Sequence, residues 1–208
     1  MNVPAGYFAA QYRTGADPWS LATRWYERRK YALTIAALPK ERYRRAFEPG
    51  CSVGVLSARL AACCDELVSW DREQAAVTAA RDRLGDAAHA RVEQRAIPGD
   101  WPDADFDLIV LSEILYYFDP VTVAAVLVRT AATLEPGGTL IAVHWRHPVA
   151  EHAQSGQAVH EAVRRLPGFA GLARHEEPDF LLDVLVRADP GDQADQAPYS
   201  VAAAEGLV

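Results

Sequence analysis

Cysteine, lysine and long apolar runs are all scarce in this chain. Its 208 residues hold three cysteines, Cys51, Cys63 and Cys64. None sits in a CxxC pair and three thiols make no disulfide framework, so a reducing cytoplasm is the expected compartment. No apolar run approaches the ~18 residues of a membrane span. The opening residues, MNVPAGYFAAQYR, lack a basic segment followed by an apolar one, so neither secretion nor membrane insertion is expected. Only Lys30 and Lys40 among the 21 basic residues are lysines, which reads as genomic composition rather than function. An excess of positive charge is missing too. The net charge is −7, and four of the 28 acidic residues fall in residues 189–208, where there is no Lys or Arg. The remaining body carries 21 basic against 24 acidic groups, which leaves no electrostatic footprint for nucleic acid. What is present is ordinary: 50% apolar and 24% charged residues, a single domain able to bury a core without metal or disulfide.

The order along the chain is alternating. A short strand at Ala46–Pro49 opens into Gly50–Gly54, and Val55–Cys63 places Leu56 and Leu60 at helical spacing. Glu66–Trp70 reads as a second strand closed by Asp71, Glu73–Leu84 as a helix and Arg91–Gln94 as a third strand. Phe106–Leu111 is apolar but for Asp107, as in a central parallel strand covered on both faces. Asp119 caps a helix with Pro120 at its first position and Val123, Val126, Leu127 and Leu134 on one face. That helix stops at Pro136-Gly137-Gly138, before a fifth strand at Thr139–His144. Gly171–His175 and Phe180–Arg187 read as a closing antiparallel pair. The fold class is therefore α/β, a doubly wound, mostly parallel seven-stranded sheet in a single domain over residues 1–188. A helical cover is expected at about residues 7–38, with an amphipathic helix over Leu21–Leu38. Asp189–Val208, small, polar and aperiodic, reads as a disordered acidic tail.

The loop Glu48-Pro49-Gly50-Cys51-Ser52-Val53-Gly54 admits three chemistries. A dinucleotide fingerprint needs glycines at positions one, three and six, and counting from Gly50 those positions hold Gly50, Ser52 and Val55. Gly50-Cys51-Ser52-Val53-Gly54 also spells a GxSxG elbow, with Ser52 as nucleophile and His175 downstream. The strands and oxyanion loop that precede such an elbow have no room here. The third reading fits most residues. The loop resembles motif I of the class I S-adenosylmethionine (SAM) methyltransferases, E/D-x-G-x-G-x-G, with Ser52 replacing the middle glycine. Phe106–Glu113 and Leu134-Glu135-Pro136-Gly137-Gly138-Thr139-Leu140 resemble the fourth-strand and pre-fifth-strand motifs of that class. For the cofactor the resemblance implies Glu48, Gly50, Ser52 and Gly54, then Asp71 and Arg72, Ala96 and Ile97, Ser112, and Trp19 from the N-terminal segment. Asp71 can accept both ribose hydroxyls.

Asp17-Pro18-Trp19, Tyr26-Glu27 with Lys30-Tyr31, Leu38-Pro39 and Ser112–Tyr117 together resemble the nodulation methyltransferase family NodS. That resemblance implies N-methylation of the free amine of a glucosamine unit in a deacetylated chito-oligosaccharide, with the shared chemistry more secure than the shared acceptor. The partner implied is a small-molecule amine or amino sugar, with no nucleic acid and no membrane, in a monomer or homodimer. O-methylation of a small metabolite and a non-catalytic SAM-binding role stay open. Acceptor-side candidates come from the carboxyl ends of strands four and five. His144 reads as a general base or as a satisfied strand-end histidine. Glu113 reads as a charge that holds an amine or as a cap of the following turn, and Tyr117 stands beside it. Trp19 and Tyr26 read as an aromatic cover over a sulfonium or as core. No metal is expected: His144, His147, His152 and His160 contain no i, i+4 pair and no nearby cysteine. Arg164-Arg165 reads as a solvated helix end.

Overall fold

A computed structural model describes residue 3 and residues 6–188 and 200–208. Its elements in order are α1 (Tyr7–Thr14), α2 (Trp25–Ala36), β1 (Tyr43–Pro49), α3 (Val55–Ala61), β2 (Cys64–Asp71), α4 (Gln74–Leu84), β3 (Ala90–Gln94), β4 (Phe106–Ser112), a 3₁₀ turn (Leu115–Tyr117), α5 (Pro120–Thr133), β5 (Leu134–Trp145), α6 (Gly156–Arg164), β6 (Phe169–Glu176), β7 (Phe180–Arg187) and α7 (Val201–Ala204). The strands form one sheet in the order β3-β2-β1-β4-β5-β7-β6. β1 to β5 run parallel, and β7 is antiparallel to both β5 and β6. This is the expected seven-stranded, mostly parallel α/β fold with an antiparallel closing pair. The chain order reverses between β1 and β4, the place where open α/β sheets bind ligands beyond the carboxyl ends of their strands.

Both faces of the sheet are covered, which is why the middle of its central strand, Leu108–Leu111, is apolar without alternation. Leu108 of β4 packs with Leu56 and Leu60 of α3 on one face. Its neighbour Ile109 packs with Val123, Val126 and Leu127 of α5 and Val159 and Val163 of α6 on the other. Each such side chain contributes about 1.5–3 kcal/mol when fully buried. Asp119 caps α5 by accepting from the Thr122 amide at 2.9 Å.

Several boundaries differ from the pattern in the sequence, for physical reasons. β1 starts three residues early because the amides of Arg44 and Arg45 each donate to the Asp107 carboxylate at 2.8 Å, a pairing that a hydropathy pattern hides. The helix expected over Leu21–Leu38 starts at Trp25, and its buried residues are Glu27, Lys30, Tyr31 and Thr34. Its inner stripe is therefore polar, not apolar. α1 falls within the helical cover expected at about residues 7–38, whereas α6 has no counterpart in the strand–helix reading. α6 buries Gly156, Val159, His160 and Val163 at helical spacing, but two of these four carry no apolar signal. Residues 189–199 of the expected tail lie outside the described residues. Val201–Ala204 forms one helical turn with no buried residue, where the sequence suggests no element. Among the described residues no helix is long and apolar enough to cross a membrane.

Candidate active site

A cavity of about 360 Å³ lies over the carboxyl ends of β1, β2, β4 and β5. Its floor at the switch point is the loop after β1. Gly50 has φ +78°, and a Cβ there would stand 2.7 Å from Ile114 Cδ1, so the backbone faces the cavity where no side chain fits easily. Ser52 takes φ +49°, an uncommon conformation for a residue with a side chain, and its hydroxyl shares a 2.7 Å hydrogen bond with that of Tyr12 on α1. That contact also removes the elbow reading, since the nearest partner of the Ser52 hydroxyl is a phenol and not a histidine. His175 lies on β6 beside Glu177 and Phe180. Gly54 differs from expectation. It does not line the cavity; a Cβ on it would come within 2.9 Å of the Ala80 backbone, so it serves close packing of the loop on α4.

Two buried carboxylates stand at this end. Glu48 accepts from the Ser57 and Ser69 hydroxyls at 2.5 and 2.9 Å, and burial pushes its pKa up to about 7 against those bonds. Asp71 ends β2 and accepts from the Ser52 and Glu73 amides, both at 2.9 Å. Burial lifts it to about 6. Each oxygen keeps a lone pair for a further donor. Trp70 Nε1, in the same wall, is a buried donor with no partner among the described residues. Arg72, Ala96, Ile97 and Ser112 line the cavity as well, with the Arg72 guanidinium 5.7 Å over the Phe8 ring. An aromatic cover closes this side: Phe8 meets Tyr117 at 5.0 Å, and Tyr12 meets Trp19 at 5.5 Å between ring centroids. Trp19 and Tyr117 thus line the cavity as expected sites, and Tyr116, though buried, lines it too.

The opposite end is built from α2 and the turn after β4. Lys30 is almost wholly buried and sits 2.6 Å from Glu113 Oε1 and 3.0 Å from Glu27 Oε2. Glu113, at φ +54°, also accepts from the Tyr116 hydroxyl at 2.5 Å and the Trp145 amide at 3.0 Å. Burial would raise its pKa, but the Lys30 charge and these three donors outweigh burial and lower it. Neither sequence reading of Glu113 describes this: its carboxylate is a structural hub with three donors already in place.

Of the two readings of His144, the geometry matches the satisfied strand-end histidine and not the general base. It is fully buried and does not line the cavity. Asp183 accepts from His160 Nδ1 at 2.6 Å, which leaves His160 Nε2 as acceptor for His144 Nδ1 at 3.1 Å. His144 Nε2 then accepts the Leu115 amide at 3.2 Å. One set of neutral tautomers satisfies the whole chain, with no lone pair left to take a substrate proton. Burial lowers the His144 pKa well below its ordinary value. Arg164 is not a solvated end either; it pairs with Asp183 at 2.8 Å. His152, stacked 3.7 Å from the Tyr116 ring, is the histidine that does line the cavity, and burial lowers its pKa.

Sequence reasoning missed Glu27, Lys30, Tyr12 and His152. The available signal was a helix whose stripe at Glu27, Lys30, Tyr31 and Thr34 is polar, because a buried ion pair on a helix face is rarely there for packing alone.

The family model for nodulation protein S (NodS) matches residues 11–166. Nodulation protein S of Rhizobium tropici is 30% identical over 127 residues, 60% of this chain and 53% of that protein. The chain spans between about half and three-fifths of the curated relatives it matches. A Pseudomonas syringae structure that carries a provisional methyltransferase name is 49% identical, with TM-score 0.71, over 79% of this chain and 100% of that one. N-methyltransferase NodS from Bradyrhizobium japonicum WM9, in complex with S-adenosyl-L-homocysteine, is 22% identical with TM-score 0.78, over 88% and 98% of the two chains. That last likeness shows the fold.

Proposed function

Because the chain belongs to the NodS family, we propose that it is a SAM-dependent N-methyltransferase whose acceptor is the amine of a small molecule, an amino sugar or a related compound. The cofactor end fits SAM on three observations: the Gly50 backbone faces the cavity, Asp71 has unused acceptor capacity, and Trp70 Nε1 is a buried donor without a partner among the described residues. Asp71 would hold the ribose hydroxyls and the Gly50–Ser52 loop the methionine portion, under the cover of Phe8, Tyr12 and Trp19. When bound, SAM supplies an activated methyl group on a sulfonium.

The choice of nitrogen over oxygen rests on one observation. Two carboxylates, Glu27 and Glu113, face one cation, Lys30, at the acceptor end. The surplus negative charge stabilises a nitrogen that becomes positive as it is methylated, and it opposes an oxygen that must become an alkoxide. The phenols do not act as bases: burial raises Tyr26, Tyr116 and Tyr117 above their ordinary value. An amine with a pKa near 7.7–8.0 is partly neutral at cellular pH, so His152 suffices as proton acceptor. Positioning is the larger contribution, on the order of 7–11 kcal/mol. A mass-spectrometric screen of amino sugars and simple amines with SAM tests this reading. Gain of one methyl by an amine is the expected result, and methylation confined to hydroxyl compounds would refute it.

A further inference from the structure

β7 is buried along Phe180–Val186, and Asp183 is the one charged residue in that stretch. A carboxylate in an apolar strand is costly unless it is paired and hydrogen-bonded. Both of its partners come from one face of α6, where His160 and Arg164 stand at i and i+4. His160 Nδ1 lies 2.6 Å from Asp183 Oδ2, and the Arg164 guanidinium 2.8 Å from the same oxygen. None of the three lines the cavity. A buried ionic cluster is weak evidence for stability, since apolar replacements often do as well, so packing gives no reason to keep one here. The cluster reaches the cavity by another route. His160 Nε2 meets His144 Nδ1 at 3.1 Å, and His144 Nε2 meets the Leu115 amide at 3.2 Å.

The direction of every bond in this series is fixed from both ends. At one end the Leu115 amide only donates, so His144 carries a lone pair on Nε2 and its proton on Nδ1. At the other end Asp183 only accepts: burial would raise its pKa, but the bonds and charges of His160 and Arg164 outweigh burial and lower it. His160 then carries its proton on Nδ1 and presents a bare Nε2 to His144. Moving the proton on one ring moves it on the other, and His144 would then meet the Leu115 N–H with an N–H of its own. Leu115 opens the 3₁₀ turn that carries Tyr116 and Tyr117, and Ile114 before it offers no side-chain cap. Glu113 stands at φ +54° on the same approach, a conformation that persists only where the surroundings impose it.

We propose that Asp183 is a positioning residue for methyl transfer: through His160 it sets the tautomer of His144, and that tautomer anchors the turn bearing Glu113, Tyr116 and Tyr117. This rests on the N-methyltransferase reading and adds to it a residue two rings away from the cavity wall. Direction is transmitted, not charge. Both bonds to Asp183 end on one oxygen, so a neutral amide oxygen in that place keeps the direction. An apolar side chain there frees His160 Nδ1 of its acceptor, and the proton moves to Nε2, where His144 Nδ1 can accept it.

The test compares the native protein with Asp183→Asn and Asp183→Leu, each labelled with ¹⁵N in histidine and in the backbone. Imidazole nitrogen shifts should report Nδ1–H on both His144 and His160 in the native protein and in Asp183→Asn. In Asp183→Leu both rings should turn to Nε2–H and the Leu115 amide signal should move. With glucosamine as acceptor, Asp183→Leu should lower kcat/KM about tenfold, the scale for a buried amide left without an acceptor, while S-adenosylhomocysteine affinity is kept. Asp183→Asn should recover most of that loss. Where Asp183→Leu does not fold, His160→Phe takes its place: it removes the partner of His144 directly and should give the same loss with the same cofactor affinity. Nε2–H on either native histidine, equal losses in the Asn and Leu variants, or native kinetics in Asp183→Leu or His160→Phe would overturn the proposal. Failure of the native protein to methylate glucosamine or any other amine would instead refute the N-methyltransferase reading. The histidine and Leu115 signals would then still decide whether Asp183 sets the turn.

Discussion

Lys30 and Glu113, 83 positions apart in the sequence, meet at 2.6 Å in the wall of the cavity. The pair joins α2 to the turn after β4, so the helical cover and the sheet are locked together at the acceptor end. Lys30 lies between two carboxylates and is almost without solvent. Lys30→Met should therefore cost about 3–5 kcal/mol, the range for breaking a buried pair and stranding its partner. Adding Glu113→Gln should return part of that loss. Urea denaturation of the single and double variants measures both, and a loss below 1 kcal/mol in the single variant would contradict the arrangement.

Asp71→Ala removes a charged acceptor from the cofactor end. Hydrogen bonds to charged groups contribute about 1.5–3 kcal/mol each, so SAM affinity should fall at least about tenfold. Asp71 has its pKa lifted to about 6, and the carboxylate form is the better acceptor. Native affinity should then weaken as pH falls through 6, and the variant should lose that pH dependence. Calorimetry between pH 5 and 8, a span about the expected titration, decides it.

Glu48 links stability to pH with a definite sign. Its folded pKa of about 7 exceeds the ordinary 4.5, so between these values the folded protein holds a proton that the unfolded chain has released. That contribution is present at low pH and is lost as pH rises from about 4.5 to 7, to the order of 3 kcal/mol. Glu48→Gln cannot titrate. The native-minus-variant difference in unfolding free energy should fall over that window, and a flat difference would contradict a buried, perturbed Glu48.

His144 and His152 should separate cleanly. His144→Asn breaks the link to Leu115 and loosens the turn that carries Glu113, so turnover and melting temperature should both drop. The shape of the pH–rate profile should not change, because His144 exchanges no proton with substrate. His152→Gln should leave the melting temperature nearly unchanged and slow turnover by roughly the low end of the 10²–10⁴-fold range of general catalysis, less so at high pH, where the amine is already neutral. An altered profile in His144→Asn alone would restore the base role to His144.

Ser52→Ala keeps the loop backbone and removes the Tyr12 contact. Methyl transfer should persist with at most a severalfold weaker SAM affinity, the scale of one net hydrogen bond at about 0.5–1.5 kcal/mol. Abolished turnover would revive a nucleophilic role for Ser52.

The parts of this fold that sequence makes legible are those whose burial is apolar. β4 carries the apolar run Leu108–Leu111, β7 matches its expected bounds of Phe180–Arg187, and the Asp119-Pro120 start of α5 is where capping chemistry places it. The cofactor loop is legible for another reason: its backbone conformations demand particular residues, with Gly50 at positive φ and Ser52 tolerated there. The acceptor end is not legible, because its order depends on polar burial. Glu27 and Lys30 look like a solvated charge pair until the fold buries both and brings Glu113 to Lys30. His144 looks like a free base until His160 and Leu115 take both of its nitrogens. α6 escapes notice because Gly156 and His160 occupy half of its buried stripe, with Gly156 so close to the β5 backbone that a Cβ would collide with the Trp145 carbonyl oxygen.

The most direct test of the account is to incubate the protein with SAM labelled with ¹³C in the transferred methyl and with glucosamine, then assign the labelled carbon by NMR. The account predicts a single new signal from a methyl group bonded to nitrogen, absent without enzyme. A signal from a methyl on oxygen, or no new signal, would contradict it.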